Sequence, residues 1–73
     1  MTERIEINSE VMLGKPVVRG TRIPVELLLR KFAEGATTAE LQDAYPRLTV
    51  DDVRAIFAYA ADTVAHETVL TSQ

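Results

Sequence analysis

The sequence predicts an α+β, mostly helical domain: a short N-terminal β-hairpin followed by three helices. Three observations carry this reading. Arg4-Ile5-Glu6-Ile7 alternates polar and apolar residues, the period of a half-buried strand. Val25, Leu28, Leu29 and Phe32 recur at i, i+3, i+4 and i+7, the apolar stripe of a helix packed on a core. Val53, Ile56, Phe57, Ala60 and Val64 draw a second stripe along a longer helix. With 73 residues there is room for one domain, residues 1–73, and for little interior. A chain of this size buries only about 60% of its unfolded surface.

Taken in order, the hairpin spans about residues 3–19, with Asn8-Ser9-Glu10 as a turn, Val11-Met12-Leu13 as an apolar link into Gly14, and Pro16-Val17-Val18 as the second strand. Proline at a strand start is where its missing donor does least harm. Pro24 is expected to open the first helix, since its fixed φ suits that position. Gly35 closes it as the residue just past the C-cap. The three helices together cover about residues 24–69.

Thr37 and Glu40 have the spacing of a capping box for the second helix. That helix turns Leu41, Ala44 and Tyr45 inward and ends at Tyr45-Pro46, because the residue before proline resists helical backbone. Thr49 caps the third helix. Asp51 and Asp52 in its first turn suit the positive end of the dipole, and Leu48 and Val53 are spaced as a hydrophobic staple. The third helix frays near Thr68, and a tail at 70–73 is expected to be disordered.

The charge is uneven. Residues 1–10 carry one arginine against three glutamates, residues 11–33 five cations against Glu26, and residues 34–73 two arginines against seven acids, within a net charge of −3. An acidic balance argues against non-specific nucleic-acid binding, while the basic middle permits local phosphate contacts. There is no cysteine and a single histidine, His66, so neither a disulfide nor a metal site is expected. No apolar run approaches the roughly 18 residues of a membrane span. MTERIEIN lacks a basic region followed by an apolar run, so no secretory signal is expected and the location is expected to be cytoplasmic.

Catalysis finds no foothold. Gly14-Lys15 lacks the upstream glycine and the hydroxyl residue of a phosphate-binding loop. Asp51 and Asp52 are adjacent on a helix and point about 100° apart. No Ser/His/Asp or Cys/His set can be assembled. The expectation is a chain that is not an enzyme, without catalytic, cofactor or metal residues.

The segment Gly14-Lys15-Pro16-Val17-Val18-Arg19-Gly20-Thr21-Arg22-Ile23-Pro24 is the densest in information. Glycines, prolines and β-branched residues hold it in set turns, so its cations are presented in fixed directions. Lys15, Arg19, Thr21 and Arg22 are the candidates for binding a partner or DNA; the bland alternative is that the arginines pair with carboxylates of this chain or of a partner chain. The helix pair around Pro46-Arg47-Leu48 has a helix-turn-helix arrangement. Its reading end would carry Asp51 and Asp52, which repel phosphates. Two lone strands, the off-stripe Leu27 and an alanine-rich last helix favour a homodimer, joined through the strands or the last helix. Ile5, Ile7, Val17 and Leu27 are the interface candidates.

The sequence resembles the family catalogued as domain of unknown function 433. The matching features are Gly14, Pro16, Val18, Gly20 through Ile23, Val25, Gly35, and Tyr45 through Asp52, within about residues 5–62. The resemblance implies a homeodomain-like three-helix fold behind a β-hairpin, commonly dimeric, from a prokaryote. It also implies the antitoxin of a type II toxin–antitoxin system, binding and neutralising a PIN-like ribonuclease toxin. Such antitoxins often repress their own operon, so operator DNA is a second implied partner, and a DNA-binding transcriptional regulator is the alternative function.

Overall fold

The computed structural model describes the backbone of residues 2–10 and 12–71 and the side chains of residues 3–10 and 13–66. A 3₁₀ turn at Thr2–Arg4 leads into strand β1 (Ile5–Glu6), and a second at Met12–Gly14 precedes β2 (Val17–Val18). Strand β3 (Ile23–Pro24) follows, then helices α1 (Val25–Ala33), α2 (Thr38–Ala44) and α3 (Val50–Thr71). The expected mostly helical α+β architecture is present, with one strand more than a hairpin. The antiparallel sheet runs β1-β2-β3, with Ile5 opposite Val18 and Glu6 opposite Val17, then Val17 opposite Pro24 and Val18 opposite Ile23.

The third strand corrects the expected role of Pro24. Its φ of −64° would suit a helix, but its ψ of 135° is extended, so it stands as the N-cap and the helix begins at Val25. The cause lies in the turn before it. The Thr21 N–H donates to the Val18 carbonyl at 3.1 Å. Gly20 takes φ +83°, the value that the third residue of a type II turn requires. The chain therefore doubles back on β2 before it can coil. Its pairing ends where the Val25 N–H donates to the Pro16 carbonyl at 2.9 Å. Strand β3 has no spare amide hydrogen: the Ile23 N–H donates to the Thr21 hydroxyl at 3.0 Å, and Pro24 has none.

The helix ends follow the sequence signals. At the end of α1, Gly35 takes φ +103°. Its N–H and that of Ala36 donate back to the Phe32 and Lys31 carbonyls, both at 3.0 Å, a complete Schellman motif. Thr37 and Glu40 form the capping box in both directions, at 2.8 and 3.1 Å. Thr49 caps α3 by accepting the Asp52 N–H on its hydroxyl, and its own N–H donates to the Asp52 carboxylate, both at 3.0 Å. Asn8 makes the expected turn by accepting the Glu10 N–H at 2.8 Å. The apolar link fares differently. Val11 lies outside the described residues, and Leu13 is exposed in the left-handed region at φ 57°, ψ 34°.

The core lies between the sheet and the helices. Ile5 and Val18 come from the sheet, Val25 and Leu28 from α1, and Leu41 from α2. Leu48 comes from the last turn and Val53, Ala55 and Ile56 from α3, with Leu29, Phe32 and Tyr45 packed at the margin. Leu48 and Val53 share this cluster, as a staple requires. Each fully buried aliphatic side chain contributes about 1.5–3 kcal/mol relative to exposure.

Two inward expectations fail. Ala44 is exposed, because α2 is two turns long and only Leu41 and the flanking Tyr45 reach the interior. Phe57 and Val64 stay largely exposed, because the core ends before the stripe does. Helix α3 runs through Thr71. Of the tail expected to be disordered, residues 72 and 73 lie outside the described residues.

Candidate functional site

The candidate segment turns out to be mostly scaffold. The Thr21 hydroxyl donates to the Val18 carbonyl at 2.8 Å and accepts from the Ile23 N–H, so it staples the turn between β2 and β3. The Arg19 N–H donates to the Arg4 carbonyl at 2.7 Å, and its guanidinium Nε donates to the Glu3 carbonyl. Arg19 thus ties β2 to the N-terminal turn through backbone oxygens. Lys15 reaches Glu26 at 3.7 Å across the start of α1. The Arg30 guanidinium binds the same carboxylate at 2.9 Å. The bond from Arg30 and the nearby Lys15 charge hold the Glu26 carboxyl below the usual carboxylate range.

Arg22 differs. It is the residue after the stapled Thr21, it is exposed, and its backbone is left-handed at φ 62°. Left-handed backbone at a non-glycine residue is uncommon and costs about 1–2 kcal/mol. It has no ion-pair partner among the described residues. The segment therefore spends Lys15, Arg19 and Thr21 on bonds within the chain and leaves the Arg22 guanidinium without an ion pair among the described residues.

The turn carrying Arg22 stands beside the α2–α3 junction. A shallow cleft of about 220 Å³ is lined by Thr21 and Ile23 on one side and by Ala44, Tyr45, Pro46 and Arg47 on the other. It brings together the two stretches that define the resemblance, Gly20–Ile23 and Tyr45–Asp52, some twenty residues apart in the chain. Arg47 is exposed and, like Arg22, has no ion-pair partner among the described residues. Arg47 was not among the residues singled out from sequence. The available signal was the Tyr45-Pro46 step, which forces the chain out of helix and puts the next residue on the surface.

The start of α3, which would be the reading end of a helix-turn-helix, is occupied. The N-terminal turn and β1 pack against it. Arg4 donates to Asp52 at 3.1 Å and lies 3.6 Å from Asp51. Asp52 is only 7% exposed, and its other oxygen accepts the Thr49 N–H at 3.0 Å. A second cleft, of about 330 Å³, is lined there by Glu3, Arg4, Arg19 and Asp52. Arg4 and Asp52 are paired with each other there, and Arg19 is bonded to backbone.

The interface candidates divide. Ile5 and Val17 are buried within the chain itself, at 6% and 1% exposure, whereas Ile7 is exposed and Leu27 borderline. Among the described residues there is no group of three His, Cys, Asp or Glu able to hold a metal, and no helix long and apolar enough to cross a membrane.

A small three-stranded sheet under three capped helices, with a stapled Gly-Thr-Arg turn facing a Tyr-Pro junction, defines the class of molecule. The chain belongs to the family described as "Protein of unknown function (DUF433)", whose model matches residues 5–60. The crystal structure of a DUF433 member protein from Anabaena variabilis superposes with a TM-score of 0.80 at 33% identity, covering 96% of this chain and 69% of that one. An uncharacterized protein, y4eO, of Sinorhizobium fredii is 33% identical over 58 residues, 80% of this chain. The chain spans about a quarter of that relative's length, 26%. An uncharacterized protein of Archaeoglobus fulgidus is 57% identical over 28 residues, 38% of this chain and 78% of that protein.

Proposed function

We propose that this chain is the antitoxin-like subunit of a prokaryotic type II toxin–antitoxin pair, acting in the cytoplasm by stoichiometric binding to a PIN-like ribonuclease toxin and not by catalysis. One observation carries the reading: Arg22 is held outward at φ 62° without an intrachain ion pair, while the other cations of its segment are engaged within the chain. The planar guanidinium matches a carboxylate bidentately, and its rigid fork loses less freedom per bond formed. A metal-dependent nuclease cleft is lined by carboxylates. Arg47, on the cleft shared with Thr21 and Ile23, supplies a second cation beside the first.

The DNA-binding regulator is the weaker reading. Exposed arginines suit phosphates, but the end of α3 that would enter a groove is covered by the N-terminal turn and bears Asp51 and Asp52.

The test is co-purification with the products of the adjacent genes, followed by neutralisation assays with Arg22→Ala and Arg47→Ala. A one-to-one complex with a nuclease-like product is expected, weakened by each substitution about tenfold or more. Neutralisation that ignores both substitutions would overturn the mechanism. Binding to promoter DNA with a steep salt dependence, without any protein partner, would favour the regulator instead.

A further inference from the structure

Three clefts on this surface hold cations and carboxylates together. One of about 330 Å³ sets Arg4 and Arg19 beside Glu3 and Asp52. One of about 290 Å³ sets Arg4 and Arg54 beside Asp51, and one of about 260 Å³ sets Lys15 and Arg30 beside Glu26. The cleft between the Thr21–Ile23 turn and the α2–α3 junction breaks this pattern. Arg47 lines it, and among the described residues no carboxylate does.

Its walls are firm and offer little to a polar guest. Ile23 and Tyr45 pack inward against the core. Backbone bonds hold both sides: the Ile23 N–H on the Thr21 hydroxyl at 3.0 Å, the Tyr45 N–H on the Leu41 carbonyl at 2.8 Å, and the Leu48 N–H on the Tyr45 carbonyl at 2.9 Å. The Thr21 hydroxyl gives its own proton to the Val18 carbonyl, and Pro46 has no amide hydrogen. Ile23, Ala44 and the Pro46 ring supply apolar surface. A polar group placed between these walls would lose water and gain few bonds, whereas an apolar side chain gains by leaving water. Walls already held in place need no ordering on binding.

At the mouth the chemistry reverses. Arg47 is exposed, and its guanidinium makes neither a hydrogen bond nor an ion pair among the described residues. Arg22, in the same state, lies in the chain between Thr21 and Ile23. An occupant must therefore bring an apolar side chain with negative charge beside it. The phosphates of a nucleic acid would run on past Asp43 and Asp51, both exposed, which precede and follow the junction in the chain. A pair of carboxylates around one aliphatic or aromatic residue needs only the two cations and leaves those acids in water.

We propose that this cleft docks an extended acidic segment of a partner protein. One apolar side chain enters between Ile23 and Pro46, and flanking Asp or Glu side chains pair with Arg47 and Arg22. The inference rests on the reading that these arginines face a protein partner. It adds the form of what they meet, a linear segment recognised without the rest of its protein.

NMR titration of the full chain with capped peptides tests it. One peptide carries Glu-Leu-Asp between glycines and serines, a second has glycine for the leucine, and a third has amides for the two acids. The first should shift the amide signals of Thr21, Ile23, Tyr45 and Arg47, with a Kd of about 1 mM or tighter. Losing the leucine or the acids should weaken binding about tenfold. Arg47→Ala should weaken the first peptide about tenfold, and Arg22→Ala, one residue off the lining, by less. Ala44→Phe changes an exposed wall residue and no charge, and by filling the cleft it should also weaken binding about tenfold. No binding of the first peptide, binding indifferent to the leucine and to Ala44→Phe, or the same signals claimed by a single-stranded oligonucleotide or by a second copy of this chain would each overturn the proposal. The two readings fail separately. A neighbouring nuclease neutralised while the peptides are ignored sinks this inference alone, and peptides bound by a chain with no nuclease partner sink the toxin reading alone.

Discussion

The molecule contains two three-membered charge clusters of mirrored composition. At the start of α3 one cation, Arg4, meets two carboxylates, Asp51 and Asp52. On α1 one carboxylate, Glu26, meets two cations, Lys15 and Arg30. The chemistry is alike and the structural consequence is not. The Asp52 side chain is 10% exposed, while every member of the α1 cluster exceeds half. The first cluster joins residues 48 positions apart and is fused to a capping box. The second includes an i,i+4 pair on a helix that its own caps and apolar face already hold. An ion pair matters here in proportion to the chain it closes and the polar groups that would be stranded without it, and little in proportion to its charge.

Substitutions can break or sharpen that contrast. Asp52→Ala should have the largest effect, about 2–3 kcal/mol of stability, because it strands the Thr49 N–H and leaves Arg4 without its closest partner. Urea unfolding would measure it, and a loss no larger than that of a surface pair would erase the distinction between the clusters. Arg4→Met comes next. It removes the charge but keeps an apolar stem and leaves the Thr49–Asp52 box intact, so about 1 kcal/mol is expected in the same assay.

Glu26→Gln should be the mildest. The folded Glu26 carboxyl titrates below its ordinary value of 4.5, so whatever it contributes is present above that pH and is lost as the pH falls through the lowered value. Thermal melts of the two proteins should therefore differ slightly near neutrality, converge in acid, and converge again at high salt, where exposed pairs are screened. A difference that grew in acid would have the wrong sign for this assignment.

Much of the fold was legible from local rules. Thr37–Glu40, Thr49 and Gly35 each act within a few residues, so their sequence spacing is their geometry. The Val25-Leu28-Leu29-Phe32 stripe was equally plain. Strand β3 was hidden because Ile23-Pro24 is too short to show an alternation and because proline before a helix reads as its first residue. The stripe on α3 gave the face but not where the core stops, which depends on how far the sheet and α1 reach.

The site was less legible than the fold. Whether Arg19 or Arg22 bonds within the chain is decided by one stapled turn: both are exposed, but Arg19 precedes Gly20 and reaches the Glu3 carbonyl, whereas Arg22 follows Thr21 and has no ion pair among the described residues. The Arg4–Asp52 bond, across 48 positions, leaves no local trace at all. Arg47 becomes a candidate only when Tyr45-Pro46 is seen beside Ile23.

Strand β3 has one more consequence. Its two amide positions are a hydrogen already given to a hydroxyl and a ring nitrogen that carries none. An intruding polypeptide trying to extend the ribbon on that flank would meet carbonyl oxygens with nothing to donate in return, so templated growth toward fibrils is blocked there. A single proline thus serves both as the hinge into the first helix and as a guard against runaway self-assembly in a concentrated cell.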